Sequence, residues 1–458
     1  MQISKSISAA LIVAMSISLF SGCSVAVPDQ TDAATEPSTT VSSVTDNEPV
    51  AMGDSEAPTD AAQVSSDLMV DFNLEGLSED KKERLREGYL DFSFDYLKKS
   101  IETESGGRNI MVSPASIMLA LDMTAAGAKG ETLAQMTGLF GDAEDPSSQL
   151  AYAAYLLERL NSAEGVKLHA ADSVWINRDI IPAGLSDDYY SFIRKKFEAE
   201  AESLVFDEAA KDKINGWVND NTNKMIPRIV DRLDPTMAMM LINAICFEGK
   251  WADQYDDSQV AEADFTASDG SISKVQMMNG ISSTYLENDI AEGFIKEYQG
   301  GQYAFVVMLP KDKTQSAGQM LSLFDGKTFD EYLKNASGDY SVRTKMPEFS
   351  YDWDKSILKD LKALGMEKPC SPSADFSRIT DLAYGESLYI GDVIHKTHIE
   401  VDRNGTKAAA VTAVMLRKNA VFFDPGKEKE VFCDRPFAYA IVDLTDNTPV
   451  FLGTVDKV

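Results

Sequence analysis

The stretch Glu400-Val401-Asp402-Arg403-Asn404-Gly405-Thr406-Lys407-Ala408-Ala409-Ala410-Val411-Thr412-Ala413-Val414-Met415-Leu416 decides the reading of this chain. It begins as a strand, passes through a turn-forming Asn-Gly pair, and carries no charge after Lys407. Taken alternately, Thr406, Ala408, Ala410, Thr412 and Val414 share one face of an extended backbone, and all are small or compact. A segment with so slight an inner face can enter between two existing strands without overpacking the interior. Composition alone fits an ordinary edge strand, or a helix through Ala408–Ala410, at least as well. The rest of the chain has to decide.

Outward from this stretch, the order of elements reads as α+β. Glu79–Ile101 places Leu85, Tyr89, Phe92, Tyr96 and Leu97 on one helical stripe, and Ser113-Pro114 opens a second helix running through Ala126. Later segments alternate as strands: Tyr303–Leu309, Leu388–Ile394, Lys407–Leu416 and Phe437–Val442. Helices early and strands late disfavour an alternating parallel sheet.

The two ends read differently. Lys5, the apolar run Ile7–Leu19 and Leu19-Phe20-Ser21-Gly22-Cys23 form a signal segment whose apolar core is too short to span a bilayer of ~20 residues. Cys23 directly after Ser-Gly resembles a bacterial lipobox, so residues 1–22 are expected to be removed and Cys23 lipidated. Between residues 24 and 67 stand nine acidic residues and no Lys or Arg. That composition predicts an extended tether over 23–67, holding a domain at 68–458 off a cell surface.

Formal charge is −30, which argues against nucleic acid as a partner, since such binding rests on Lys and Arg neutralising phosphates. With only three histidines, and His395 and His398 on opposite faces of one strand, no ligand pair forms and no metal or cofactor is expected. A Gly-x-Ser-x-Gly elbow, a phosphate-cradling loop and His-Glu-x-x-His are all absent from the sequence, so it does not read as an enzyme. Cys246 and Cys433, each beside a phenylalanine in an apolar run, read as buried structural thiols.

Six further motifs, in order, give the stretch a context. These are Asn109-Ile110-Met111-Val112-Ser113-Pro114-Ala115-Ser116-Ile117, Gly127-Ala128-Lys129-Gly130-Glu131-Thr132, Trp217-Val218-Asn219 with Thr222-Asn223-Lys224-Met225-Ile226, and Asn243 through Trp251. Ala374-Asp375-Phe376-Ser377 with Ile394-His395-Lys396, and Val431 through Ala438, complete the series. Together with Gly405–Thr412 they resemble the serpin family from about residue 68 onward.

The resemblance implies a serpin fold: three β-sheets, about eight or nine helices, and a reactive-centre loop (about 403–430) standing outside a central sheet that has a gap. It implies an inhibitor that a protease attacks as substrate, the cut loop then inserting as a strand and trapping the acyl-enzyme. On this pattern Gly405, Thr406, Ala408, Ala409, Ala410, Val411 and Thr412 form the hinge. Ser113, Ser116, Asn243 and His395 match the shutter beneath the sheet, and Trp251 the breach where insertion starts. Family spacing puts the scissile bond at Asn419–Ala420, with Arg417, Lys418 and Val421 as alternatives. A trypsin-like, elastase-like or subtilisin-like serine protease, or a cysteine protease, would be the partner of a monomeric inhibitor. Arg403 and Lys407 stand where inhibitory members usually carry glutamate. A non-inhibitory serpin acting as a binding module remains the alternative.

Overall fold

The structure, a computed structural model, describes residues 77–104, 107–382, 387–406 and 427–458. Ala408–Thr412, Arg417–Val421, Cys23 and the boundaries at 22 and 67 lie outside these residues.

Nine α-helices occur among the described residues: α1 (Glu79–Thr103), α2 (Pro114–Ala125), α3 (Gly130–Gly138), α4 (Pro146–Ser162), α5 (Asp187–Phe197), α6 (Glu208–Asn221), α7 (Ala317–Leu321), α8 (Gly326–Lys334) and α9 (Leu358–Ala363). The first starts at Ser78, whose hydroxyl accepts from Lys81 N, and Glu79 and Asp80 favour its positive end. Its stripe Leu85, Tyr89, Phe92, Tyr96 and Leu97 is buried, as the period of its apolar residues requires. Helix α2 is mostly apolar and buried at every position, Ser116, Asp122 and Thr124 included. It is a central core helix, and each large side chain it hides contributes ~2 kcal/mol.

Three sheets pack around these helices. The central one runs β11 (Phe349–Ser356), β12 (Ile390–Asp402), β13 (Gly405–Thr406), β4 (Met239–Lys250), β2 (Val166–Asn177) and β3 (Glu200–Leu204). A second runs β1 (Met111–Val112), β16 (Thr448–Val455), β15 (Phe437–Asp443), β9 (Tyr303–Pro310), β8 (Ala291–Glu297) and β7 (Tyr285–Glu287). The third runs β14 (Glu428–Phe432), β10 (Ser341–Pro347), β6 (Ile272–Ser282) and β5 (Val260–Thr266). This is the α+β, three-sheet architecture expected from the sequence. The strand expected at Leu388–Ile394 begins at Ile390 and continues to Asp402, because its ladder with β11 extends to Val401.

Over β4 and the second half of β2 the central sheet is buried on both faces. On one side Ala171, Trp175, Ile242, Ala244 and Cys246 meet Ala210, Ile214 and Val218 of α6. On the other, Val174, Leu241 and Ile245 join the main core around α2. Two motifs far apart in sequence lock together near α3: Lys129 N donates to Asp375 O (3.0 Å) and Asp375 N to Thr132 Oγ1 (2.9 Å). Cys246 and Cys433 are fully buried, and burial pushes the Cys433 thiol far above its ordinary range. His395 and His398 do take opposite sides of β12: His395 is enclosed, while His398 Nδ1 meets Asp352 Oδ1 at 2.6 Å.

Candidate functional site

Two adjoining features make up the site, a hinge at one end of the central sheet and a polar row lower down the same seam. The seam is the contact between β12 and β4. These strands pair in parallel from Ile390–His398 against Met239–Cys246. A gap between them was expected, yet over this length the sheet is closed, each ladder hydrogen bond being worth ~1 kcal/mol net.

Above the closed part the two strands diverge, and the hinge fills the fork. Gly405 pairs with Asp402 on β12 and Lys250 on β4; Thr406 pairs with Val401 and Gly249. The loop expected to stand outside from Gly405 onward therefore has its first two residues inside the sheet. The turn that delivers them is Arg403-Asn404. The Asp402 carboxylate accepts from Asn404 N (2.6 Å) and Gly405 N (3.1 Å), a side-chain cap natural to aspartate at a turn. Trp251 Nε1 donates to Asp402 O (2.8 Å), Trp251 N to Asn404 O and Tyr255 N to Arg403 O (both 3.0 Å). Trp251, expected at the breach, thus holds the turn by its indole as well as packing in the core.

Gly405 is required by proximity: a Cβ there would sit 2.0 Å from the Gly249 carbonyl oxygen. Thr406 is 1% exposed, and its Oγ1 lies 2.6 Å from the hydroxyl of Tyr298. The Arg403 guanidinium donates to Glu348 Oε1 (3.1 Å) and Asp257 Oδ1 (2.8 Å). Two carboxylates already occupy the surroundings of position 403, so arginine is the electrostatically matched residue in this chain.

The polar row crosses the sheet as Asp172 on β2, Asn243 on β4 and His395 on β12, neighbours by strand register. Ser113 and Ser116, at the start of α2, meet it from the core side. Ser113 N donates to His395 Nε2 (3.1 Å), so the imidazole proton resides on Nδ1, which donates to Asn243 Oδ1. The Asn243 amide then donates to Ser116 O (3.0 Å), Ser116 Oγ and Asp172 Oδ1 (2.5 Å). Ser113 Oγ donates to Val450 O (2.8 Å) and accepts from Ser116 N (3.3 Å) as the cap of α2. The structure brings all four expected shutter residues into this one network.

Sequence reasoning passed over Asp172 and Tyr298. Asp172 had a signal: a lone carboxylate among the small and apolar residues of Ala170-Ala171-Asp172-Ser173-Val174-Trp175. Tyr298 had none, because only its position beneath Thr406 distinguishes it from other core tyrosines.

Burial pushes the Asp172 carboxyl up to about 7, against a smaller opposing effect of the Asn243 amide. Burial pushes His395 down to about 3, so it stays neutral. The signs differ. Folding favours the neutral Asp172 carboxyl, so its stability contribution is full below its unfolded value near 4 and is lost as pH rises to 7. His395 contributes above its unfolded value near 6.5 and loses that contribution as pH falls toward 3. Asp172→Asn, which keeps an acceptor for Asn243, is expected to raise thermal stability at pH 8 by on the order of 1–3 kcal/mol and to change it little at pH 4. Melting curves at the two pH values check this; equal shifts at both would contradict an ionised carboxylate in the seam.

Among the described residues no cluster of His, Cys, Asp and Glu could hold a metal ion, and no helix is long and apolar enough to cross a membrane. What the arrangement can do is mechanical: a strand end already seated in a fork, above a seam whose hydrogen bonds can be exchanged.

The comparisons with known proteins follow the same line. The family model described as serpin (serine protease inhibitor) matches residues 87–458. An uncharacterised serpin-like protein of Thermococcus kodakarensis is 31% identical over 79% of this chain and 83% of its own. Iripin-8 of Ixodes ricinus is 29% identical over 76% of this chain and 88% of its own. Among solved structures, the thermophilic serpin tengpin in its native state is 34% identical, with a TM-score of 0.74 over 83% of this chain and 95% of that one. Human thyroxine-binding globulin, at 22% identity and a TM-score of 0.71, shares the fold over 82% of this chain and 99% of its own. This chain belongs to the serpin family.

Proposed function

We propose that the protein is a protease inhibitor that works as a suicide substrate, trapping a serine protease as acyl-enzyme by inserting its loop into the central sheet. One observation carries the reading: Gly405 and Thr406 already pair with both β12 and β4, in the register a full insertion would continue. Six residues on from Thr406 is Thr412. Six before Gly249 is Asn243, and six before Val401 is His395. The same step on both strands would bring Thr412 between the two halves of the seam's hydrogen bond. A threonine hydroxyl can both donate and accept, so it can bond to Asn243 and His395 as they part.

The energetics support insertion after cleavage. Opening the seam gives up one ladder between β12 and β4; the inserted strand makes two, each bond worth ~1 kcal/mol net. Thr406–Asn419 at ~3.3 Å per residue spans about 45 Å, enough to carry an attached protease from one end of the sheet to the other. An uncut loop is tethered at both ends. Cleavage removes that restraint, so the stored difference is released when the target acts.

The scissile bond lies at Asn419–Ala420 on family spacing. Arg417 or Lys418 would suit a trypsin-like pocket, and Ala420 or Val421 an elastase-like or subtilisin-like one. Acylated Cys23 and the acidic segment after it would hold the inhibitor outside the cytoplasm, on the cell surface. Cys23→Ser is expected to move the protein from the membrane fraction to the medium.

The test is direct. The domain from residue 68 is incubated with trypsin, elastase, subtilisin and papain and run on denaturing gels. A band at the summed mass, with the cleaved bond read by mass spectrometry, is the expected result. Cleavage without such a band across the whole panel would sink the trapping mechanism and leave a non-inhibitory binding role.

A further inference from the structure

The fork that receives the hinge contains a socket built for one side chain. Its floor is Tyr298, fully buried, with its ring stacked on Trp251 (centroids 4.7 Å apart, planes at 17°) and tilted against Phe247 (4.9 Å). The backbone there is hydrogen-bonded on both sides: Tyr298 N donates to Tyr303 O (2.9 Å), Gly301 N to Tyr298 O (3.1 Å) and Gln299 N to Lys250 O (2.8 Å). One wall is Gly249, where a Cβ would meet the Tyr298 ring and Phe247 at 2.8 Å each. Bare backbone at 249 lets the tyrosine ring lie beneath the strand, and bare backbone at 405 lets the hinge come against the Gly249 carbonyl. The phenol hydroxyl then reaches Thr406 Oγ1 at 2.6 Å.

We propose that Tyr298 is a positioning residue for loop insertion: its hydroxyl captures Thr406 and holds the hinge inside the fork, setting the register from which the remaining residues follow. The role rests on the inhibitory reading above, but the capture itself is a property of the folded protein before any protease arrives. Without the hydroxyl, Thr406 would bury an unsatisfied oxygen, and the seated hinge would give way to one withdrawn into water. The ring contributes packing and the oxygen contributes position, so Tyr298→Phe separates the two.

The experiment measures hydrogen exchange of the segment carrying Gly405 and Thr406 in the domain from residue 68, together with the ratio of trapped complex to cleaved inhibitor. Tyr298→Phe is expected to speed exchange at these two amides about fivefold, leave exchange in α2 and β15 unchanged, and lower the trapped fraction at least twofold. Thr406→Val alone should do the same, and the double variant should add nothing, because one bond is lost in each case. Thr406→Ser, which keeps the oxygen, should restore slow exchange. Unchanged exchange in Tyr298→Phe, or effects that add in the double variant, would overturn the proposal. If exchange responds as stated while no protease forms a complex with the parent protein, the socket stands and the trapping mechanism falls. Should Tyr298→Phe misfold, the Thr406→Val and Thr406→Ser pair carries the same comparison.

Discussion

Thr406→Arg is expected to turn the protein from an inhibitor into a plain substrate, cutting covalent complex by more than about tenfold while the loop is still cleaved. Thr406 is 1% exposed and lies between Val401 and Gly249 with the Tyr298 hydroxyl against it. The aromatic floor formed by Trp251, Tyr298 and Phe247 is packed and offers no carboxylate. A guanidinium forced into that slot would be a buried, unpaired charge, costing several kcal/mol. The hinge would instead stay in water, and insertion would stall at its first residue. Acyl-enzyme hydrolysis, normally outrun by insertion, would then release active protease. Denaturing gels and residual protease activity measure the two branches. Retained complex with Thr406→Arg would show that insertion does not pass through this slot.

The second large effect is expected at Asn243. Its amide is the hub between two strands that the proposed insertion would separate and the helix beneath them, accepting from His395 and donating to Ser116 and Asp172. Asn243→Ala leaves the His395 Nδ1–H and the Asp172 carboxyl without these partners in a fully buried site. At ~1–3 kcal/mol for each orphaned group, the closed sheet should lose on the order of 3 kcal/mol or more. Two readouts follow. Thermal unfolding should begin several degrees lower, and the uncut protein should convert spontaneously on warming to an inactive, more stable form with its loop inserted. That form would resist unfolding in urea that denatures the parent. Lower stability with no gain in conversion would mean that the network supports the fold generally and does not restrain the seam.

The two effects test different steps of the proposed insertion, Thr406 the seating of the hinge and Asn243 the parting of the strands ahead of it. Asp172 and His395 add pH to the second step with opposite signs, the Asp172 contribution being lost as pH rises to about 7 and that of His395 as pH falls toward about 3.

Much of this was legible in the residues themselves. The buried stripe of α1, the cap of α2 at Ser113, the strands at Tyr303 and Phe437, and the opposed faces of His395 and His398 follow from local period and capping chemistry, which act over a few residues. The small alternating face from Thr406 to Thr412 is likewise intrinsic to the chain, whereas the turn expected at Asn404-Gly405 falls one residue earlier, at Arg403-Asn404. Ser113 and His395 are 282 residues apart, Asn243 and His395 152, and Tyr298 and Thr406 108. No local rule links such pairs, because sheet register is decided by which strands the whole core places side by side. Only the tertiary structure could therefore close the seam between β12 and β4, seat Gly405 and Thr406 inside the fork, and bring the Asp172 carboxyl against Asn243 and the Tyr298 hydroxyl against Thr406.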